Sequence, residues 1–235
     1  MQYVMLVRVD PDLPVPEGSD VEPWVEEGER AGMRLEGGPV RHPDTATTVR
    51  VRDGKTLISD GPFPEVKEWV AGYDLLEAES LEAAVDYASR HPVAHFGALE
   101  LREVWGDFVP ARDGEVLEPR KDGADYLFLH VPEPELVKTL PPEGKDPTAW
   151  VREVEDRRVT LGGSRLRVGN PDTAATVRVR DGETLVTRGP FAETIEEIAG
   201  IDLVRVEDLD EAIELAAKHP TSTIGAIEIR PVPRG

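Results

Sequence analysis

Cysteine is absent from the 235 residues, which excludes disulfides, thiolate catalysis and cysteine-ligated metal. Long apolar runs are missing too, since no stretch approaches the roughly 18 apolar residues of a membrane-spanning helix. The segment from Met1 to Val9 is too short, and too close to acidic residues, to be a signal peptide. We therefore expect a cytoplasmic protein.

Basic residues are scarce relative to acidic ones. The chain holds 27 Lys and Arg against 47 Asp and Glu, and its formal net charge is −20. Binding to nucleic acid needs a clustered basic face, whereas the basic residues here are interleaved with acidic ones. An anionic membrane surface is disfavoured for the same reason. We expect neither a nucleic acid nor a membrane as partner.

Sequence motifs for cofactors are missing as well. Five histidines occur, and none stands in an HExxH or similar metal-ligand spacing. No Walker loop or GxGxxG sequence follows a predicted strand, and no GxSxG sequence is present. The sequence therefore predicts no metal and no cofactor.

What the sequence does contain is an internal repeat. "TVRVRDGKTLISDGPF" begins at Thr48, and "TVRVRDGETLVTRGPF" begins 128 positions later at Thr176. At this offset residues 44–104 align with 172–232 without a gap, and 32 of these 61 positions are identical. So long a period indicates duplicated domains, because solenoid repeats are much shorter. The predicted organisation is repeat one over 1–105, a linker over 106–123 and repeat two over 124–235.

Each repeat has the pattern of a strand, a helix, a hairpin, a strand, a helix and a final strand. In repeat one the hairpin alternates Val and Arg before an Asp53-Gly54 turn, whose length of two or three residues stays open. A β-α-β-β-α-β order with an extra hairpin predicts an α+β, ferredoxin-like fold. Helices cover one face of such a sheet, so we expect the second repeat to cover the other in an intrachain pseudo-dimer.

The hairpin and the segments behind it resemble a known family. "TATTVRVRDGKTLISDGPFPEVKEWVAGYDL" is followed by "ESLEAAVDYASRHP" and "GALELREV". These segments resemble the YCII-related superfamily in its DGPF subgroup, and the resemblance covers both repeats as a tandem duplication. It implies dimeric α+β barrels of ferredoxin-like units, which are fused here in one chain.

The resemblance implies less about activity, because most members of the family have no assigned reaction. Some YCII-type proteins are proposed to use a His–Asp pair, and one branch includes a dehydrochlorinase acting on a chlorinated hydroxyquinone. DGPF members are often encoded beside alternative sigma factors, which implies regulation or stress. The family's histidine lies on the first helix, which has no histidine in either repeat here. The family's Asp-Pro step is replaced by His91-Pro92 and His219-Pro220.

Asp60 is the first candidate for chemistry. It ends the hairpin of repeat one, where repeat two has Arg188. One interpretation places it partly buried in a cleft, as a general base or polar anchor. The other makes it a cap that accepts hydrogen bonds from the amides of the turn over residues 61–63. The sequence leaves both open.

Histidines supply the other candidate acid–base groups. His91 recurs as His219 at the end of the second helix, where a favourable interaction with the helix carbonyls explains it without catalysis. His95 occurs in repeat one, whereas repeat two has Thr223 at that position. The predicted catalytic residues are Asp60, His91 and His95.

A second set of residues is predicted to bind a ligand. Arg50 and Arg52 share one face of the hairpin and could clamp an anion, although surface charge is the ordinary explanation. The candidates for ligand binding are Arg50, Arg52, Phe63, Tyr73 and Arg188.

The sequence supports two classes of function. The first is a small-molecule-binding protein or enzyme with lyase- or isomerase-like acid–base chemistry in one competent cleft around Asp60. The alternative is a non-catalytic ligand-binding, regulatory or stress-associated module, and exposed sheet edges also permit a purely structural assembly. The expected partner is a small molecule, and the expected state is a monomeric pseudo-dimer or a homodimer of it.

Overall fold

A computed structural model of the protein describes residues 1–10, 14–63, 68–106, 108, 111–112, 115–139, 146–168, 170–191 and 197–234. Residues 64–67 of the DGPF segment lie outside this range.

The elements of repeat one are β1 (Gln2–Val9), α1 (Glu22–Ala31), β2 (Arg34–Pro39), β3 (Thr47–Arg52), β4 (Lys55–Asp60), β5 (Trp69–Glu77), α2 (Leu81–Ser89) and β6 (Ala98–Trp105). The connecting segment contains β7 (Ala111–Arg112) and β8 (Glu115–Val116). The elements of repeat two are β9 (Ala124–Pro132), α3 (Pro134–Thr139), α4 (Thr148–Asp156), β10 (Thr160–Leu166), β11 (Ala174–Arg180), β12 (Glu183–Arg188), β13 (Gly200–Val206), α5 (Leu209–Lys218), α6 (Thr221–Ile224) and β14 (Gly225–Val232).

The chain forms two compact units that do not coincide with the two repeats. Unit 1 comprises Met1–Val40, Val66–Trp105 and Leu166–Ile195, and unit 2 comprises Arg41–Glu65, Gly106–Arg165 and Glu196–Gly235. The β3–β4 hairpin of repeat one thus belongs to unit 2, and the β11–β12 hairpin of repeat two belongs to unit 1. The hairpin of each repeat is therefore part of the unit that contains the main strands of the other repeat.

The sheet of each unit is antiparallel and has the same strand order. In unit 1 the order is β2-β5-β1-β6-β11-β12, and in unit 2 it is β10-β13-β9-β14-β3-β4. The first four strands of each unit come from one repeat in the ferredoxin-like order. The predicted α+β fold with two repeated halves, consistent with a dimeric α+β barrel, is confirmed. The assignment of each hairpin to its own repeat is wrong, because β3 pairs with β14 and β11 pairs with β6.

The hairpin turns contain two residues. Arg52 pairs with Lys55 across Asp53 and Gly54, which both have positive φ, of 51° and 71°. Two consecutive left-handed residues are the mark of a type I′ turn, whose twist matches that of the flanking strands. This register settles the length that the sequence leaves open.

One tryptophan in each unit forms a hydrogen bond between two helices of that unit. In unit 1 the indole N–H of Trp24 on α1 donates to the carbonyl of Tyr87 on α2 at 3.1 Å, and the Tyr87 hydroxyl donates to the Trp24 carbonyl at 2.8 Å. In unit 2 Trp150 on α4 donates to the carbonyl of Leu215 on α5 at 2.8 Å. These buried polar groups are thereby satisfied inside apolar cores. None of the described helices is both long and apolar enough to cross a membrane.

Candidate functional site

The two units have a largely enclosed aspartate at equivalent positions of their sheets. Asp74 on β5 pairs with Gly37 on β2, and Asp202 on β13 pairs with Gly163 on β10. A Cβ atom at either glycine would collide with the aspartate Oδ1 atom. Glycine therefore leaves room for a carboxylate that lies against the neighbouring backbone.

In unit 1 this carboxylate is held in an ion pair. Asp74 Oδ1 lies 2.7 Å from Nε of Arg34, and the two side chains are 7% and 8% exposed. Arg34 also binds Glu29 at 2.8 Å. Burial raises the pKa of Asp74 to about 7, and Arg34 opposes this shift. In unit 1 the carboxylate is thus paired with the guanidinium of Arg34, which does not release its proton.

In unit 2 the carboxylate has a different partner. His130 on β9 places Nε2 at 2.7 Å from Oδ2 of Asp202, and both atoms are buried. The position of Arg34 is taken by Thr160 in unit 2, and the position of His130 is taken by Val7 in unit 1. The His–Asp pair is therefore specific to unit 2.

His130 and Asp202 are close enough to exchange a proton, although they do not form an ordinary hydrogen bond. Nε2 of His130 and Oδ2 of Asp202 are 2.7 Å apart, and two unprotonated atoms at this distance would repel each other. The N–H direction is not aligned for an ordinary hydrogen bond. The side chains are only 7% and 14% exposed, and electrostatic interactions are stronger in such surroundings than in water. Together the two side chains can hold, accept and return a proton.

His219 completes a cluster with this pair. Its ring centroid lies 4.3 Å from that of His130, and ligand-type atoms of the three side chains lie within 4.8 Å of one another. Nδ1 of His219 accepts the N–H of Thr221 at 3.1 Å, so the neutral ring carries its proton on Nε2. Burial, and then the neighbouring His130, hold the pKa of His219 well below its usual range.

The position of the proton on His219 bears on whether this cluster is better suited to binding a metal ion or to transferring a proton. A zinc site takes three or four protein ligands, each with a free lone pair. His130 and Asp202 offer two, whereas one nitrogen of His219 bears a proton and the other accepts the Thr221 amide. The cluster therefore suits proton transfer better than metal binding. His130 and His219 lie close together although no spacing motif links them in the sequence, and the absence of a metal stays a prediction.

His91 occupies the equivalent place in unit 1 and makes the same kind of backbone contact as His219. Its Nδ1 accepts the N–H of Val93 at 3.1 Å, which caps the 3₁₀ turn over Pro92–His95. Burial, and then Arg34, lower the pKa of His91 from 6.5 to about 4. The predicted cation–carbonyl interaction at the end of α2 is wrong, because a buried neutral imidazole carries no charge to supply it.

A pH series on His91→Asn tests this assignment. Because folding lowers the pKa of His91, its contribution to stability is fully present above pH 6.5 and is lost as the pH falls through about 4. Asparagine keeps a side-chain acceptor for the cap and removes the titration. We expect wild type to lose about 3 kcal/mol of unfolding free energy relative to the variant between pH 7 and pH 3. The unfolding free energies of wild type and His91→Asn are measured by denaturant unfolding at each pH. If the two change in parallel with pH, the assignment is contradicted.

The predicted catalytic residues are divided between the two units. Asp60 is exposed at the end of β4 in unit 2, and His91 and His95 belong to unit 1. Four strand spacings in the sheet of unit 2 separate β4 from the strand of Asp202, a distance of about 19 Å. Asp60 is exposed, so the partial burial expected for it is wrong, and a role at the mouth of a cleft stays a prediction.

The other interpretation of Asp60, as a turn cap, has no support from the turn amides. The N–H of Gly61 donates to the carbonyl of Ala46 at 2.9 Å. The N–H of Phe63 donates to Oε2 of Glu228 at 3.1 Å. The residue between them is proline and has no N–H, so both donors of the turn have partners other than Asp60.

Arg50 and Phe63 stack on each other. The Arg50 guanidinium lies 4.4 Å from the centroid of the Phe63 ring. In unit 1 the equivalent Phe191 is buried and lies 4.5 Å from the guanidinium of Arg8. Stacking of a cation on an aromatic face is favourable. The ring of Phe191 thus contacts a strand outside its own hairpin, whereas the ring of Phe63 stacks on an arginine of the same hairpin.

The remaining ligand-binding candidates are engaged within the fold. Arg52 donates to the carbonyls of Ser222 and Gly225 at 2.9 and 3.0 Å. Arg188 is exposed and forms an ion pair with Glu82 at 2.7 Å. Tyr73 is buried and hydrogen-bonds to Glu36. These contacts give each residue a structural partner, and binding of a ligand by any of them stays a prediction.

His95 lines an open concavity in unit 1. Its lining also includes Glu17, Arg90 and Phe96, and its volume is about 360 Å³. This volume falls in the lower part of the range of small-molecule sites. The concavity combines a cation, an imidazole, a carboxylate and an aromatic ring.

Sequence reasoning missed His130 and Asp202. Asp202 is identical in the two repeats, as Asp74, and this identity within a strand was an available signal. His130 has no such signal, because it replaces an apolar residue of repeat one and lies far from Asp202 in the chain. Only the pairing of β9 with β13 brings the two together.

Comparison with known proteins agrees with this duplicated architecture. A family model for the YCII-related domain matches residues 1–108 and again residues 125–234. An uncharacterized protein of Rhizobium meliloti (strain 1021) is 43% identical over 101 residues, which cover 36% of this chain and 81% of that protein. The two matches of the family model span nearly the whole chain, so this protein belongs to the YCII-related domain family, as a tandem duplication.

Proposed function

We propose that this protein is a small-molecule enzyme of the acid–base type, acting as a lyase or isomerase, and that His130 and Asp202 are its proton-transferring pair. The observation that carries the proposal is the enclosed His–Asp contact in unit 2, where unit 1 has an aspartate locked to an arginine. The proposal keeps the predicted single competent centre and moves it from Asp60 to Asp202. The substrate is a small molecule with an acidic C–H bond.

The roles of the two residues follow from where His130 carries its proton. When Nε2 carries the proton beside Asp202, neutral His130 keeps a lone pair on Nδ1 and can act there as a base. Gly200 favours this role, because a side chain there would crowd Nδ1, with its Cβ at 2.6 Å. A C–H proton passes to Nδ1, and the carboxylate of Asp202 stabilises the resulting imidazolium. The imidazolium then returns the proton to another atom in an isomerase, or to the leaving group in a lyase.

His219 supplies a neutral hydrogen-bond donor beside this pair. Its low pKa keeps it uncharged at neutral pH, and its proton resides on Nε2. A fixed neutral donor stabilises an oxyanion that develops next to a carbon losing its proton. The three side chains thus supply a base, a carboxylate that orients it and a donor for the developing charge.

A nitrogen-15 NMR spectrum of the histidine rings tests the proposal without knowledge of the substrate. We expect His130 at pH 7 to show a protonated Nε2 and an unprotonated Nδ1. In Asp202→Asn the preference for this tautomer should weaken, because the carboxylate that orders it is gone. Asp74→Asn is the matched control and should leave the His130 signals unchanged. A ring of His130 that is doubly protonated at pH 7, or protonated on Nδ1 alone, would refute the assignment of the base.

The concavity in unit 1 favours a second candidate function, non-catalytic ligand binding. Its lining by Arg90, His95 and Phe96 suits a small molecule with an acidic group and a flat ring. A ligand of this kind should raise the melting temperature of wild type. The shift should disappear in Phe96→Ala and persist in Asp202→Asn, whereas the reverse pattern supports the His130–Asp202 centre.

A further inference from the structure

His130 belongs to a row of three residues that crosses the sheet of unit 2. Arg165 on β10 pairs with Gly200 on β13, and Gly200 pairs with His130 on β9. Directly opposite residues of antiparallel strands share one face of the sheet. A Cβ atom at Gly200 would lie 2.6 Å from Nδ1 of His130, so these two positions are on the same face. The row therefore runs from an arginine, across the space left by a glycine, to Nδ1 of His130.

The equivalent row of unit 1 has different residues at both ends. Pro39 on β2 pairs with Gly72 on β5, and Gly72 pairs with Val7 on β1. The central glycine is common to the two units, whereas proline and valine stand where unit 2 has a cation and an imidazole. Two differences between the units thus meet in one row, as expected of two residues that act on one ligand.

The two sides of His130 within the row differ in polarity. On β14 the residue opposite His130 is Ile227, which is fully buried. On the other side lies Gly200, and beyond it Arg165 is exposed. An anionic group that leaves water needs a cation or several N–H donors as partners. The side of Gly200 is therefore the one that suits an anionic ligand.

The length of the row limits the size of such a ligand. Two strand spacings, about 10 Å, separate Arg165 from His130. Side chains on one face stand roughly perpendicular to the sheet, so the guanidinium and the imidazole are separated by a similar distance. A hydrogen bond to the guanidinium takes about 3 Å and the approach of a C–H carbon to the base takes about 3 Å, which leaves roughly 4 Å. This space suits a carboxylate and a carbon about two bonds away from it.

A carboxylate of the chain already responds to Arg165. The pKa of Asp146 is lowered first by hydrogen bonds from Thr148, and then by the charges of Arg165 and Arg152. The charge of Arg165 thus favours the ionised form of a nearby carboxyl group. Arg152 acts on Asp146 in the same way, but it lies on α4 and outside the row. It is therefore a matched control for Arg165.

We propose that Arg165 is the substrate-binding residue of the His130–Asp202 centre, and that the substrate is a small carboxylic acid with an acidic C–H bond about two bonds from its carboxylate. This inference rests on the proposed function, in which Nδ1 of His130 is the base. The guanidinium holds the carboxylate in a bidentate pair, and the carbon chain crosses Gly200 to reach Nδ1. A 2-oxo acid has this arrangement, because its carbonyl group acidifies the C–H bonds of the next carbon.

Nitrogen-15 NMR of the His130 ring measures binding with two probes that differ in one group. 2-Oxobutanoate carries the carboxylate, and 2-butanone has a methyl group in its place. We expect 2-oxobutanoate to shift the Nδ1 signal and to bind at least about tenfold more tightly than 2-butanone. Arg165→Gln should weaken the binding of 2-oxobutanoate about 10–100-fold, because a charge-assisted pair is lost, and leave that of 2-butanone unchanged.

Two further variants separate the geometry of Arg165 from its charge. Arg165→Lys keeps the charge without the planar fork, so its affinity for 2-oxobutanoate should fall between those of wild type and Arg165→Gln. Arg152→Gln removes the same charge outside the row and should change the affinity by less than about twofold, because exposed charges are screened. The melting temperature of each variant shows whether it is folded.

Measuring binding and deuterium exchange together distinguishes this inference from the proposed function. If 2-oxobutanoate binds through Arg165 but does not exchange its C–H protons, the carboxylate site stands and the proposed proton transfer fails. If exchange depends on Asp202 while Arg165→Gln binds 2-oxobutanoate normally, the proposed function stands and this inference is overturned. It is also overturned if wild type does not bind 2-oxobutanoate, or if Arg152→Gln loses as much affinity as Arg165→Gln.

Discussion

Asp202→Asn should lower the rate of proton exchange at an acidic C–H bond of a substrate by about 10²–10⁴-fold, the range that general acid–base catalysis contributes. The amide cannot accept the His130 proton as a carboxylate does, so Nδ1 loses its preference for the unprotonated form. The measurement is deuterium incorporation from D₂O into a panel of ketones, hydroxy ketones and halogenated cyclic substrates, followed by NMR. Melting temperature is recorded for each variant to separate chemistry from folding.

Asp74→Asn supplies the control for this experiment. It makes the same change at the equivalent position of unit 1, and Arg34 keeps Glu29 as a carboxylate partner. The exchange rate of this variant should stay within a factor of about two of wild type, because residues outside the reacting centre contribute little to catalysis. Equal losses in the two variants would show that the effect comes from folding and would remove Asp202 from the centre.

Glu100→Gln should lower the free energy of unfolding by about 3–5 kcal/mol, the cost of breaking a buried ion pair on one side. Glu100 is 2% exposed and binds Arg8 at 2.7 Å and Arg102 at 3.2 Å. Burial raises the pKa of this carboxyl, but Arg8 and Arg102 outweigh it and leave the pKa below its usual value. Glutamine leaves two buried guanidinium groups without this negative charge. Denaturant unfolding at pH 7 measures the change.

The equivalent residue of unit 2 gives the comparison for Glu100. Glu228 binds Arg230 at 3.2 Å, but Val131 stands where unit 1 has Arg8. Because Val131 carries no charge, Glu228→Gln should cost less than Glu100→Gln, about 1.5–3 kcal/mol. An equal or larger loss in Glu228→Gln would contradict the view that the second buried cation sets the cost.

The divergence of the two repeats involves separate places with separate consequences. Asp60 and Arg188 differ at the exposed ends of β4 and β12, where Arg188 forms an ion pair with Glu82. The partners of Asp74 and Asp202 differ inside the units, where a change from arginine to histidine exchanges a permanent cation for a group that can release its proton. The surface difference therefore changes an exposed charge, and the interior difference changes the partner of a largely buried carboxylate.

The sequence by itself determined the features that depend on local pattern or on self-similarity. The repeat at an offset of 128 positions established the duplication, and the order of strand and helix signals established the α+β class. The Asp53-Gly54 pair indicated a tight hairpin turn, because few other residues adopt two consecutive left-handed conformations. Such features arise from neighbours in the chain or from two copies of one sequence.

The tertiary structure alone decided which residues meet across the repeats and across strands. The exchange of hairpins leaves the local pattern of each repeat unchanged, because a strand has the same alternation whichever neighbour it pairs with. The partners of Asp74 and Asp202 come from different strands, which no spacing along the chain reveals. His130 stands at a position that is apolar in repeat one, and it becomes a partner of Asp202 because antiparallel pairing sets β9 beside β13. The candidate site therefore rests on strand pairing over long separations in the chain, whereas the fold class rests on local order.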